Sequence, residues 1–323
     1  MRKLILLVIS LVLLVVLFVI KNKANNVQQE TYRSESIIDA PWGKEPGQFG
    51  IYDPLEHGEG GPIVGPQTLT VAVNGDIYIY DAQNGRIQRF NNNGQVISII
   101  PLSKNGEEIC VDQSGNIYLY DSGIVPKTVS KFDEKGNLLI VYPISWDDLG
   151  MRVIGGVSIY CNKSGGIFLS YRSDSLKTPM IFEVGTTDMV FSPEQQKATL
   201  KEGFVGSNNV VLNQGAVFQT KTGQLELVGD SSGTVKKFNA YRMNFGQAGF
   251  TGVDNQMNVY TASGNIIRKY SPAGDLMAEF TIQKEDYILS TRSLYLDEHG
   301  NVYLMSTSKD GLKIIKWSPV GVK

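Results

Sequence analysis

Residues 65–96, GPQTLTVAVNGDIYIYDAQNGRIQRFNNNGQV, decide how the rest of the chain is read. Leu69, Val71 and Val73 alternate with Thr70 and Ala72, Asn74-Gly75 intervenes, and Asp76, Tyr78 and Tyr80 then alternate with Ile77 and Ile79. Period-two alternation on both sides of Asn-Gly predicts two strands joined by a tight type I′ hairpin, because both central residues of that turn need positive φ. After Asp81 comes a polar break, then Arg86-Ile-Gln-Arg-Phe90, the turn Asn91-Asn-Asn-Gly94 and an apolar run over 96–100. Four short antiparallel strands in about forty residues make one blade of a β-propeller.

Weaker copies recur almost to the C-terminus. Blade two carries the inner hairpin Ile109-Cys-Val-Asp-Gln-Ser-Gly-Asn-Ile-Tyr-Leu-Tyr-Asp121, with a longer turn, Asp112 to Gly115, of the kind closed by a glycine bulge. Blade three repeats it over 159–169 and blade four is degenerate, placed with its inner hairpin at 216–228 and its third strand at 234–238. Blade five occupies 250–276 and blade six 294–321. The third-strand aromatics Phe90, Phe132, Phe182, Phe238, Tyr270 and Trp317 count six blades, their uneven spacing reflecting insertions confined to loops. A β-sandwich with coincidental hairpins is the competing reading. The last copy stops where its outermost strand should begin, whereas Glu35-Ser-Ile-Ile-Asp-Ala-Pro-Trp42 has no partner in sequence. Residues near 37–42 are therefore expected to supply that strand and close a propeller spanning 35–323.

Residues 4–20, LILLVISLVLLVVLFVI, are uncharged and follow Arg2-Lys3. At about 1.5 Å per residue they span roughly 25 Å, enough for a bilayer core, so residues 1–20 are expected to form a signal-anchor transmembrane helix. A cleaved secretion signal is the alternative, but Lys21-Asn-Lys-Ala24 is a poor cleavage site. Residues 21–34 are expected to be a flexible linker. A short N-terminal tail favours a single-pass cell-membrane protein with an extracytoplasmic propeller. Setting aside Arg2, Lys3, Lys21 and Lys23 leaves 26 basic against 32 acidic residues, a mildly acidic domain with no field for nucleic acid. Aligned with the repeat, Cys110 sits one place before Val111 while Cys161 takes its place, so the two thiols are expected on opposite faces and unbridged.

The motif Pro66-x₂-Leu69…Val73-Asn-Gly75-Asp-Ile-Tyr-Ile79-x-Asp81-x₂-Asn84-x-Arg86-Ile-Gln-Arg-Phe90 resembles the NHL repeat, a family of six-bladed propellers. Trp42-Gly43…Gly47-Gln48-Phe49 is similar to the turn joining one NHL blade to the next. The likeness covers roughly 37–321 and is strongest in blades one, two and five. It implies a fold of four-stranded antiparallel blades. Relatives of that kind bind proteins, RNA or small ligands, and a few are lyases or lactonases, so the resemblance fixes no activity.

In a propeller the connections between strands two and three, and between blades, emerge on one face, and the tight hairpin turns on the other. The long segments 43–66, 122–127, 145–152, 172–179 and 283–290 nearly all belong to the first set, which is expected to bind something. Trp146, Asp147, Asp148 and Arg152 offer an aromatic anchor with charges of both signs, and His57 and Arg172 lie on neighbouring loops. The bland reading is a Trp packed into the rim beside solvated acids. Asp53, Glu56, His57 and Glu59 match no calcium or zinc loop, so no metal or other cofactor is assigned. Asp81 and Asp121 follow the second strand in one register, as backbone N–H acceptors or as a ring of pore acids. With only His57 and His299 in the chain, a three-histidine zinc site is impossible within one copy, and no G-x-S-x-G elbow is present. The function expected is a membrane-tethered, non-catalytic binding or scaffold module for a protein, peptide or glycan, monomeric as a propeller. The alternative is a divalent-metal hydrolase, lactonase or lyase using pore carboxylates.

Overall fold

The computed structural model describes residues 30–322 except 103–105, 122, 124–125, 147–148, 150–156, 163–164, 173–178, 203, 206–215, 220–224, 229–236, 239–248, 257, 272–274, 289 and 291, with backbone alone at 172, 179, 322 and the described positions of 201–250. The expected anchor, residues 1–20, lies outside this set. Among the described residues no helix is long and apolar enough to cross a membrane.

The chain folds as an all-β propeller of four-stranded antiparallel blades. Blade one comprises Thr68–Val71, Ile77–Asp81, Arg86–Phe90 and Val96–Pro101. Blade two repeats it with Glu108–Val111, Ile117–Asp121, Thr128–Phe132 and Leu138–Pro143. Blade three has Ser158–Cys161, Gly166–Arg172, Pro179–Thr186 and Met189–Val190, and the short strand Lys201–Glu202 also pairs with Pro179–Thr186. A short helix, Pro193–Ala198, follows it, started by a capping box between Ser192 and Gln195 that the strand pattern did not anticipate. Blade five comprises Gly249–Val253, Val259–Ser263, Ile266–Tyr270 and Leu276–Thr281.

The last blade contains Leu294–Leu296, Val302–Ser308 and Gly311–Val322, and its outermost strand is Glu30–Pro41 from the other end of the chain, antiparallel to Gly311–Val322. This strand begins earlier than the sequence suggested, so residues 30–34 belong to the blade and not to the linker. Tyr32 explains the extension: it stacks on Phe280 at 4.2 Å between ring centroids, and its hydroxyl shares a hydrogen bond with Tyr260.

Between blades three and five stands a further antiparallel sheet of Phe204–Val205, Ala216–Gln219, Leu225–Val228 and Lys237–Phe238. Here the sequence reading slipped by one strand, and Phe238 falls on the fourth strand, not the third. The sequence of 220–224 contains the glycine expected of a hairpin, and in a degenerate repeat one hairpin looks like the next.

The core lies between blades. Ile77 and Ile79 pack with Tyr303 and Met305 of the last blade, while Tyr78 and Tyr80, alternating with them, pack with Ile109 and Leu119 of blade two. Each strand thus serves two neighbours through its period-two alternation. This alternation overturns the cysteine prediction. Register places Cys110 opposite Tyr118 and Cys161 opposite Ile167, on opposite faces of their own blades as expected. Facing surfaces of adjacent blades are opposite faces, however, so the two residues meet, with Cα atoms 5.9 Å apart, and form a disulfide.

Blade one's inner turn also differs from expectation. The first strand ends at Val71, and Ala72 N–H donates to Asp76 while Gly75 N–H, at φ 86°, donates to Ala72. Asp112, Asn116 and Gly115 repeat that pattern in blade two, so both are glycine-bulge turns of one length and blade one has no type I′ hairpin. Val73, half exposed, belongs to the turn.

Candidate functional site

The innermost strands of three blades are joined by a buried charge cluster. Arg292 precedes the inner strand of the last blade, and its backbone exchanges hydrogen bonds with Gln67 and Leu69 of blade one. Its Nη2 donates to the Ile109 carbonyl at 2.8 Å, and its guanidinium carbon lies 5.6 Å from the centre of the Tyr160 ring. Its Nε is 3.4 Å from Glu108 Oε1, and the two side chains are only 5% and 1% exposed. Glu108 Oε2 accepts the Ile159 N–H at 2.6 Å. Burial pushes the Glu108 carboxyl up from the ordinary glutamate range, against the pull of Arg292. The cluster ties blades two and three to the last blade and commits the carboxylate to structure. Among the described residues no three His, Cys, Asp or Glu side chains gather closely enough to hold a metal ion.

The acids considered for the pore have other work. Asp81, fully buried, accepts hydrogen bonds from Gly50 N–H, Asn84 Nδ2, Arg86 Nε and Gln88 Nε2. Arg86 in turn donates to the carbonyls of Lys44, Glu45 and Gln48. These bonds strap residues 43–50 onto blade one, so the first part of the long 43–66 segment is a fastened clasp. Asp121 Oδ1 accepts the Gly123 N–H, closing a local turn.

The remainder of 43–66 carries a 3-10 turn, Pro54–His57, capped by the Asp53 carboxylate. His57 is exposed and stacks on Tyr52 at 4.9 Å, and Tyr52 donates to Glu59. Asp53 is thus engaged by the Leu55 N–H, and His57 and Glu59 both by Tyr52. Trp146 is partly buried and sits edge-on to Tyr171 and Phe182, at 4.7 and 5.4 Å between centroids. Its indole N–H has no partner in the protein. Asp147, Asp148 and Arg152 lie outside the described residues, and Arg172 is placed by its backbone at the end of the second strand of blade three.

On the long-loop side the structure opens a groove between blade five and the last blade, enclosing about 780 Å³, a size typical of ligand sites. Its walls are mixed, somewhat more polar than apolar. Glu35 and Ser36 of the closing strand, Gln283 after blade five, and Asp310 at the turn of the last blade face it. Among the described residues the side chains of Glu35, Asn265, Gln283 and Asp310 have no hydrogen-bond partner in the protein, whereas Lys284 and Lys313 pair with Asp286 and Asp39. Unspent carboxylates and amides in one concavity suit a ligand rich in hydroxyl or amide groups. Sequence reasoning missed both assemblies. A charge at the start of a buried strand, as at Glu108, is a readable signal, but Glu35 and Gln283 look like ordinary surface residues.

The sequence matches no protein-family description and no curated protein. Solved structures with a similar fold include a catalytically inactive virginiamycin B lyase from Staphylococcus aureus with quinupristin, 13% identical over 90% of this chain and 100% of that one, TM-score 0.45. The calcium-binding protein regucalcin from Agrobacterium tumefaciens is 12% identical over 87% and 95%, TM-score 0.47. A gluconolactonase from Xanthomonas campestris is 12% identical over 80% and 86%, TM-score 0.49.

Proposed function

We propose that this chain is a membrane-tethered, extracytoplasmic six-bladed propeller that binds a polar ligand, a glycan or a hydroxyl- and amide-rich peptide, without catalysis. The sheet of residues 204–238 serves as the fourth blade, and residues 4–20 as the anchor. The observation that carries the reading is the open polar groove holding unpaired Glu35, Asn265, Gln283 and Asp310. The buried Arg292–Glu108 pair supports it, since a buried carboxylate paired with a guanidinium and a backbone N–H is poorly placed for acid–base or metal chemistry. The disulfide supports an oxidising, extracytoplasmic setting, where such bonds persist.

Titration of the full chain in detergent with a panel of amino-sugar and neutral oligosaccharides and polar peptides tests the proposal. At least one binder is expected, its affinity falling about tenfold in a Glu35→Ala/Gln283→Ala variant, the effect of losing one or two charge-assisted hydrogen bonds. Equal affinity of variant and parent for every binder sinks the groove as the site.

A further inference from the structure

Strand register defines the two ends of the propeller. Val71, Ile77, Phe90 and Val96 form the row nearest the hairpin turns in blade one. Val111, Ile117, Phe132 and Leu138 form the same row in blade two. In the last blade that row is Leu296, Val302, Trp317 and Ser34. Glu30 lies beyond it, paired with Val322 and held by Lys269 Nζ at 2.7 Å. The chain therefore enters the fold at the rim of the hairpin-turn face.

Exposed large apolar side chains gather at the same end. Val73 sits at a hairpin tip, Ile97 and Leu139 at the starts of the outer strands of blades one and two, Met189 at that of blade three, Leu276 at that of blade five and Val320 near the end of the last blade. Each is between 39% and 53% exposed. At the long-loop end, Leu55 and Tyr287 alone among the described residues are of this kind. What needs explaining is that these exposed side chains fall mostly at one end of the propeller.

We infer that this rim rests on the bilayer, so that the hairpin-turn face meets the lipid and the polar groove faces away from it. The inference rests on the proposed anchor. Residues 21–29 separate the apolar run 4–20 from Glu30, and nine extended residues reach at most about 30 Å. A tether that short, attached at the rim of the apolar end, keeps that end beside the membrane at high effective concentration. The domain is mildly acidic, so the surface the rim fits is the apolar boundary of a zwitterionic bilayer.

The experiment reconstitutes the full chain into phosphatidylcholine vesicles, with and without brominated acyl chains, and follows Trp fluorescence in Ile97→Trp, Leu139→Trp and Leu55→Trp variants against the native tryptophan background. Brominated lipid is expected to quench the added signal about twofold at positions 97 and 139 and to leave position 55 unaffected, as shallow insertion of one face requires. Two hairpin-face variants guard against a single misfolded one. Chain that stays in carbonate-washed vesicles with positions 97 and 139 unquenched overturns the docking alone. Chain stripped by the wash overturns the anchor and the docking together. Equal quenching at position 55, or concentration-dependent self-association that protects positions 97 and 139, also overturns the docking.

Discussion

Two seams in this propeller are closed by different means. Where the last blade meets blade one, the closure is distributed. A twelve-residue strand lies along the last blade, Trp42 Nε1 donates to the carbonyls of Ser308 and Lys309, the Tyr295 hydroxyl donates to Val71, and the Ile37 carbonyl lies so close to Gly94 that a side chain there would collide with it. Between blades two and three the innermost strands are joined by a few side chains: the disulfide, the Glu108 bond to Ile159 N–H, and Arg292 reaching across from the last blade. Backbone pairing spreads the closure over many weak bonds, none decisive. A side-chain seam concentrates it, so one substitution should be felt.

Deleting the closing strand attacks the first seam outright. Removing residues 1–44 exposes the surface covered by buried Ile38 and Ala40 and strips the ladder, with an expected loss of about 5 kcal/mol and a fall in Tm of roughly 10–20 °C or complete insolubility. Removing 1–29 should leave Tm within a few degrees. Equal melting of the two truncated chains in a thermal scan contradicts the closure. At the second seam, the Cys110→Ala/Cys161→Ala pair should cost about 2–4 kcal/mol and make melting insensitive to reductant, unlike the parent. A parent whose Tm ignores complete reduction, checked by thiol titration, shows the seam held by packing instead.

The smallest effect concerns Glu108. Because burial raises its folded pKa above the unfolded value, the stability it contributes is present below the ordinary glutamate range and lost as pH rises through the raised folded pKa. Glu108→Gln removes that titration, so the stability difference should shift in favour of the variant as pH rises above the ordinary glutamate range. Parallel pH profiles of the two proteins would show that Glu108 does not titrate on folding.

The same two seams explain what could be read from sequence. Blade hairpins are local, and their turn chemistry is written in contiguous residues: Asp112, Asp254 and Asp297 each take two backbone N–H bonds, an Asn side chain and a Tyr hydroxyl. The Asp81, Asn84 and Arg86 of blade one were visible as a motif, although the clasp they hold, 43–50, was not visible as their target. The disulfide was misread because register within a blade says which face a residue occupies but not which neighbour that face meets. The polar groove stayed hidden because it is assembled from segments more than two hundred residues apart, each unremarkable alone, as Glu35 and Asp310 are.

The strand Glu30–Pro41 has a consequence in time. It is made before the other strands of the propeller, and its partner, Gly311–Val322, after them. Until that partner is made, the Ile38 and Ala40 surface lacks its place in the last blade, which cannot be completed as the earlier blades emerge. Final assembly waits on a contact of near-maximal sequence separation, a slow kind of search that leaves apolar strand edges exposed meanwhile. A propeller built this way closes only once Gly311–Val322 has been made, and its handling before that moment, by whatever holds unfolded chains in its compartment, is part of how it reaches the native state.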